Sequence, residues 1–209
     1  MIENRETPPA TNFEIVKFDS TVDNLPNLKK IAKSAYEANL DFFTRGISGI
    51  EINFVYSDDE LAAIEKSYGV SFQDWNRAFA IDNKIWIFSP HLSKGKDNKS
   101  LLTHEMAHIF TNQLLGVSNP SWLREGVAGV VANQYSDNQL KSNIKLEKVH
   151  SEQGFQDHPI YDKSTIFVRF LINQFGKNKL FYLIDKSNSL GHNNSYESFC
   201  RLFFKIYNE

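Results

Sequence analysis

Apolar residues along this chain follow two periods, and the change from one to the other outlines the fold. Leu28, Ile31, Ala32, Ala35, Tyr36 and Phe43 recur at three- and four-residue steps, which predicts a helix over 26–43. Ile50–Tyr56 alternates apolar with polar and reads as a strand, and a short strand is expected within Phe13–Phe18. Ser57-Asp58-Asp59-Glu60 has the form of a capping box, opening a helix to about Tyr68. Phe79–Ile81 and Lys84–Phe88 flank Asp82-Asn83, a hairpin turn. From residue 100 the pattern becomes helical: 100–115, 120–134 and, after a polar irregular stretch over 136–160, helices near 163–175, 178–186 and 195–207. Gly116 and Gly176 fall where helices should stop. Strands first and helices after predict an α+β protein, with a small strand-bearing N-terminal lobe and a helical C-terminal lobe. Residues 1–12, polar with paired prolines, read as a flexible tail, and 13–209 as a single domain.

One stretch of this pattern carries chemistry. His104-Glu105-Met106-Ala107-His108 is an HExxH run inside the helix over 100–115. Histidines four residues apart lie one above the other on one helix face, a spacing that suits two ligands of one tetrahedral zinc. Glu105 is turned about 100° around the axis from His104. It is therefore placed to take a proton from a water on the metal rather than to join the two histidines as a ligand. The flanks Leu101, Leu102, Ile109, Phe110, Leu114 and Leu115 bury this helix, and buried histidines need partners.

A catalytic zinc needs a third protein ligand and an open position. Position 111 is Thr and position 114 is Leu, so the extended HExxHxxGxxH spacing is absent, and no Cys lies nearby. The acid on the next helix, Glu125 in Asn119-Pro120-Ser121-Trp122-Leu123-Arg124-Glu125-Gly126-Val127-Ala128, fills the need. Asn119 and Pro120 read as its cap and first-turn proline. Among Trp122, Leu123, Val127, Ala128, Val130 and Val131, a carboxylate is costly unless it is paired or bound to metal. A salt bridge to Arg124 or a lysine is the alternative, and Asp137 is the next acid in line as a ligand.

HEMAH, a helix-ending Gly and then PSWLREGVA together resemble the gluzincin branch of zinc metallopeptidases, and most closely the compact bacterial peptidase MA-like domains, with their P-x-W-L-x-E-G-x-A motif. Gly49–Tyr56 resembles the family's strand before the active site. Trp75–Ala80 with Asp82–Pro90 resembles its aromatic turn and hairpin, and Tyr161–Gly176 its Y-x-x-S helix segment. The likeness runs over most of 25–209, but only the two short motifs are specific. It implies a zincin-like fold and a zinc-dependent peptidase, with His104, His108 and Glu125 as ligands and Glu105 as general base. It also implies Ile85–Phe88 as the edge strand beside the active-site helix, where an extended peptide could add. Tyr161 stands where the family has a Tyr, a candidate donor to the oxyanion, with His158 and His150 in the same segment as alternatives. The chain departs from the pattern at Gly129, where many gluzincins carry an acid that orients a zinc His. Asn133, a backbone carbonyl or water would have to replace it.

Composition narrows the rest. The formal charge is −2, so no polybasic surface points to nucleic acid or an anionic membrane, and Lys94–Lys99 reads as a solvated loop. The single cysteine, Cys200, excludes an internal disulfide and reads as core. No stretch reads as a signal peptide or a membrane span, so a cytoplasmic protein with no membrane partner is expected. Trp122 and Trp75 read as core or cleft wall, Arg124 as a surface residue, and His91 and His192 as exposed loop residues. The expected function is hydrolysis of a peptide or protein substrate through Zn2+. The rivals are a zincin-fold binding or regulatory protein with little catalysis, and a zinc hydrolase of a non-peptide amide, which would share the same chemistry.

Overall fold

The structure, a computed structural model, describes residues 16–18, 27–72, 77–88, 98–116, 119–135, 159–191 and 195–208. The elements are β1 (Val16–Phe18), α1 (Leu28–Phe43), β2 (Ile50–Val55), α2 (Asp58–Tyr68), β3 (Ala78–Ile81), β4 (Lys84–Phe88), α3 (Asn98–Leu115), α4 (Ser121–Val131), α5 (Pro159–Phe175), α6 (Lys177–Asn188) and α7 (Tyr196–Tyr207). This is a mixed α+β chain. It divides into two compact units, residues 1–109 and 110–209, and the division falls inside α3. Among the described residues no helix is long and apolar enough to cross a membrane.

In the first unit four strands form one sheet in the order β1-β2-β4-β3, with β1, β2 and β4 parallel and β3 antiparallel to β4. Asp82, with φ of 54°, makes the tight turn of the β3–β4 hairpin. The strand expected at the edge is therefore not there. β4 lies between β2 and β3, paired on both sides, and Ile85 and Ile87 are fully enclosed. The hairpin folds β3 back over one side of β4 while β2 takes the other.

One face of the sheet carries Val55, Phe79 and Phe88, which pack with Ile64 of α2 and with Leu61, Tyr68 and Phe72. The other carries Ile50, Ile52, Phe54, Ile85 and Ile87, all buried. α2 starts at the Ser57 cap the capping box predicts: Ser57 accepts from the Glu60 N–H, and the Glu60 carboxylate accepts from the Tyr56 N–H at 2.6 Å, one residue before the cap. It stops at Gly69 with φ of 64°. Asn39 of α1, fully buried, donates to the Thr103 carbonyl at 3.1 Å and ties α1 to α3 one residue before His104.

In the second unit α4 packs on α5 with almost no side chain between them. A Cβ at Gly126 would lie 2.6 Å from the Ser164 carbonyl oxygen and 2.5 Å from Val168 Cγ2. A Cβ at Gly129 would lie 1.9 Å from Thr165 Oγ1 and 3.0 Å from Thr165 Cβ. Thr165 cannot easily turn aside, because its hydroxyl donates to the Tyr161 carbonyl at 2.7 Å. The absent acid at 129 thus has a packing cause: the helix backbones meet there. Trp122 is core, stacked edge-on against Phe199 at 5.5 Å and tilted on Phe167 at 5.6 Å. Cys200 is half-buried on α7. α5 begins at Pro159, four residues earlier than the pattern placed it, so Tyr161 stands in its first turn rather than in a loop.

The close approach gives a direct test. Gly129→Ala should cost about 1–3 kcal/mol of stability, the usual scale of overpacking, and Thr165→Ala in the same chain should recover part of it, because Oγ1 and Cγ2 go while the Cβ at 3.0 Å stays. Chemical denaturation of the single and double variants reads this out. Unchanged stability in Gly129→Ala would contradict the packing described.

Candidate metal centre

The middle of α3 is enclosed nearly all round: Leu102, Met106, Ala107, Ile109 and Phe110 are fully buried. Into this surface the sequence places His104 and Glu105, both buried, and His108, half-buried. Burial of three ionisable side chains on five consecutive residues is unfavourable unless each finds a partner. Helical spacing brings two of them together. The His104 and His108 rings lie 4.8 Å apart with planes at 83°, and their Nε2 atoms are 3.2 Å apart. α3 ends at Gly116, with φ of 96°, whose N–H closes the last turn on the Thr111 and Asn112 carbonyls.

Glu125 is half-buried in the second turn of α4. The helix start differs from the expected one. Pro120 is itself the cap position, and Asn119 turns its side chain back to donate to the Gly116 carbonyl at 3.1 Å. His104, His108 and Glu125 then converge: their ligand atoms all lie within 4.8 Å of one another.

The donor set fits a divalent metal. Two nitrogens bound at 2.0–2.1 Å in a tetrahedral shell stand about 3.3 Å apart, the edge of that tetrahedron. The observed Nε2 separation of 3.2 Å matches it. A direct imidazole–imidazole hydrogen bond fits the same distance. It would use one Nε2 as donor and satisfy one lone pair, whereas a shared cation takes both lone pairs and adds the carboxylate. Two imidazoles and one carboxylate form a mixed nitrogen and oxygen set that leaves a fourth position for water or substrate.

Several residues were expected near this group. Tyr161 is half-buried on α5. Asn133 is exposed with φ of 52° at the stop of α4. Arg124 is half-buried rather than on the surface, and its Nε is enclosed with no hydrogen-bond partner among the described residues. Asn98 and Lys99, the end of the basic run, begin α3. His91, His150, His158, His192, Asp137, Trp75 and residues 1–12 lie outside the described residues.

One residue emerges that the sequence did not single out. The Tyr135 phenol is pushed above its ordinary pKa by burial and then by the carboxylates of Asp162 and Glu125. No family model matches the sequence, and no curated protein matches it.

Metal binding is the first expectation. The purified protein should take up about one zinc per chain, and His104→Ala and His108→Ala should each lose it. Glu125→Gln should weaken it substantially, because a neutral amide is a poor zinc ligand. Elemental analysis after dialysis, with calorimetric titration, measures both. Full stoichiometry in both histidine variants would rule the site out.

Proposed function

We propose that this protein is a zinc-dependent peptidase of gluzincin type, with a zincin-like fold, acting on peptide or protein substrates. The observation that supports it most is the convergence of His104, His108 and Glu125, with buried Glu105 beside the first of them. The HEMAH and PSWLREGVA motifs, on the two helices that carry those residues, support the same reading. His104, His108 and Glu125 would hold the metal. When bound, zinc supplies a Lewis acid that polarises a carbonyl and brings the pKa of water toward neutrality.

The chain's own residues do the rest. Glu105 takes the proton of the attacking water and returns it to the nitrogen of the departing amine. Its enclosure keeps bulk water from competing for that proton. Asn39, through the Thr103 carbonyl, fixes the turn of α3 that presents His104 and Glu105. An extended substrate can pair by its backbone with a free strand edge, and with β4 interior, β3 offers that edge on this side of the sheet among the described residues. The contact with Thr165 accounts for a glycine at position 129.

Glu105→Gln separates binding from chemistry. The amide keeps the shape and cannot accept a proton, so zinc content should stay at one per chain while hydrolysis of a peptide library falls about a hundredfold or more. Mass-spectrometric cleavage profiles of wild type and variant measure this. Equal cleavage by the two would remove Glu105 from the mechanism.

A further inference from the structure

We infer that an aromatic and basic face built by α5, α6 and α7 is a docking surface for an anionic membrane interface: its exposed phenylalanines enter the lipid headgroup region and its lysines meet the lipid phosphates. The inference is independent of the peptidase reading. It replaces the expectation, drawn from the overall charge, that no membrane is a partner.

The formal charge of −2 is unevenly spread. Between Asp162 and Asp185 the sequence holds four basic residues and no acid, and between Glu197 and Glu209 two basic residues and no acid. These stretches make up most of α5, α6 and α7. Two of the cations are engaged within the chain: Arg169 with the Gln134 and Tyr135 carbonyls, and Arg201 with Glu197 at 2.9 Å. Lys179 and Lys205 have no carboxylate partner among the described residues.

The same helices join a row of aromatic rings. Phe170 and Phe175 of α5 lie 6.5 Å apart, Phe175 meets Tyr207 of α7 at 4.6 Å, Tyr207 meets Phe203 at 4.5 Å, and Phe203 meets Phe204 at 5.9 Å. Tyr207 is buried, but Phe170, Phe175 and Phe204 are 49%, 40% and 59% exposed. Single exposed apolar residues are ordinary, whereas three joined through ring contacts form a patch, and such patches mark contact with a partner. Lys179 belongs to the patch, its Nζ 5.8 Å from the centre of the Phe175 ring and 5.7 Å from that of Tyr207. Lys205 is exposed in the turn of α7 that carries Phe204. Burial pushes the Tyr207 phenol up to about 12, so it adds no negative charge.

Exposed rings beside cations, with no acid in the flanking sequence, complement an anionic partner that has an apolar layer. A lipid interface supplies both: phosphates outside and acyl chains beneath. A second copy of the same face fits poorly, because it would set Lys179 and Lys205 against like charges. An extended peptide would find no strand edge here, since the backbone groups of α5 and α7 are used within the helices.

The test uses the full chain and vesicles of phosphatidylcholine, with or without about 30% phosphatidylserine, read by co-sedimentation. The wild type should sediment with the phosphatidylserine vesicles, bind phosphatidylcholine alone about tenfold more weakly or less, and be released by salt. Phe170→Ser/Phe204→Ser should weaken binding by about tenfold or more, through lost apolar burial. Lys179→Gln/Lys205→Gln should weaken it by about tenfold, and only on the anionic vesicles. Circular dichroism checks that both pairs keep the fold. Phe204→Trp reports insertion without removing the ring: acyl-brominated lipid should quench its fluorescence beyond that of the wild type. A wild type that stays in solution, either pair sedimenting as the wild type does, or an unquenched Phe204→Trp overturns the proposal. So does a shift of the face to another occupant: a dimer that Phe170→Ser/Phe204→Ser abolishes, or binding to a single-stranded DNA oligonucleotide or a soluble glutamate–phenylalanine copolypeptide, with no transfer to vesicles.

Discussion

The close approach of α4 to α5 governs the second half of this molecule. Gly126 and Gly129 remove the side chains that would hold the helices apart, and the backbone carbonyl of Ser164 and the hydroxyl of Thr165 fill the space. Glu125 precedes the first of these glycines, so the contact fixes the rotation of α4 that presents its carboxylate. The same contact lays the end of α4 along the α5 face that carries Arg169, and Arg169 closes the turn. A side chain at 129 would displace all of these at once, which explains why no carboxylate can stand there to orient a histidine.

α3 supplies the opposite case, polar groups in an apolar surface. His104 and Glu105 are enclosed among Leu102, Met106 and Ala107, and the two imidazoles meet with their nitrogens at 3.2 Å. Such an arrangement is costly for a helix with no further role and natural for one that shares a cation. The zinc, the hydrolytic reaction and the zincin-like fold remain proposals that this arrangement supports.

Much of the fold is legible in the sequence because it depends on local period. The helix and strand positions, the Ser57 cap and the stops at Gly69, Gly116 and Gly176 follow from neighbouring residues. What depends on distant contacts is not. The place of β4 inside the sheet is a matter of pairing order, although the unbroken apolar run Ile85-Trp86-Ile87-Phe88 is the mark of a strand buried on both faces. The early start of α5 is hidden by polar Asp162 and Lys163, with Pro159 at the first helical position as the signal that was there to use. Of the site, His104, His108 and Glu125 are readable from spacing and cost of burial.

In the proposed site one metal ion is shared by two imidazoles of α3 and a carboxylate of α4. X-ray absorption at the zinc edge of the loaded protein tests it most directly. A shared zinc would give a four-coordinate shell of nitrogen and oxygen at about 2.0–2.1 Å, with the outer-shell scattering of two imidazoles, reduced to one in His108→Ala if any metal is retained. A six-coordinate, all-oxygen shell, or a wild-type spectrum with fewer than two imidazoles, would contradict it.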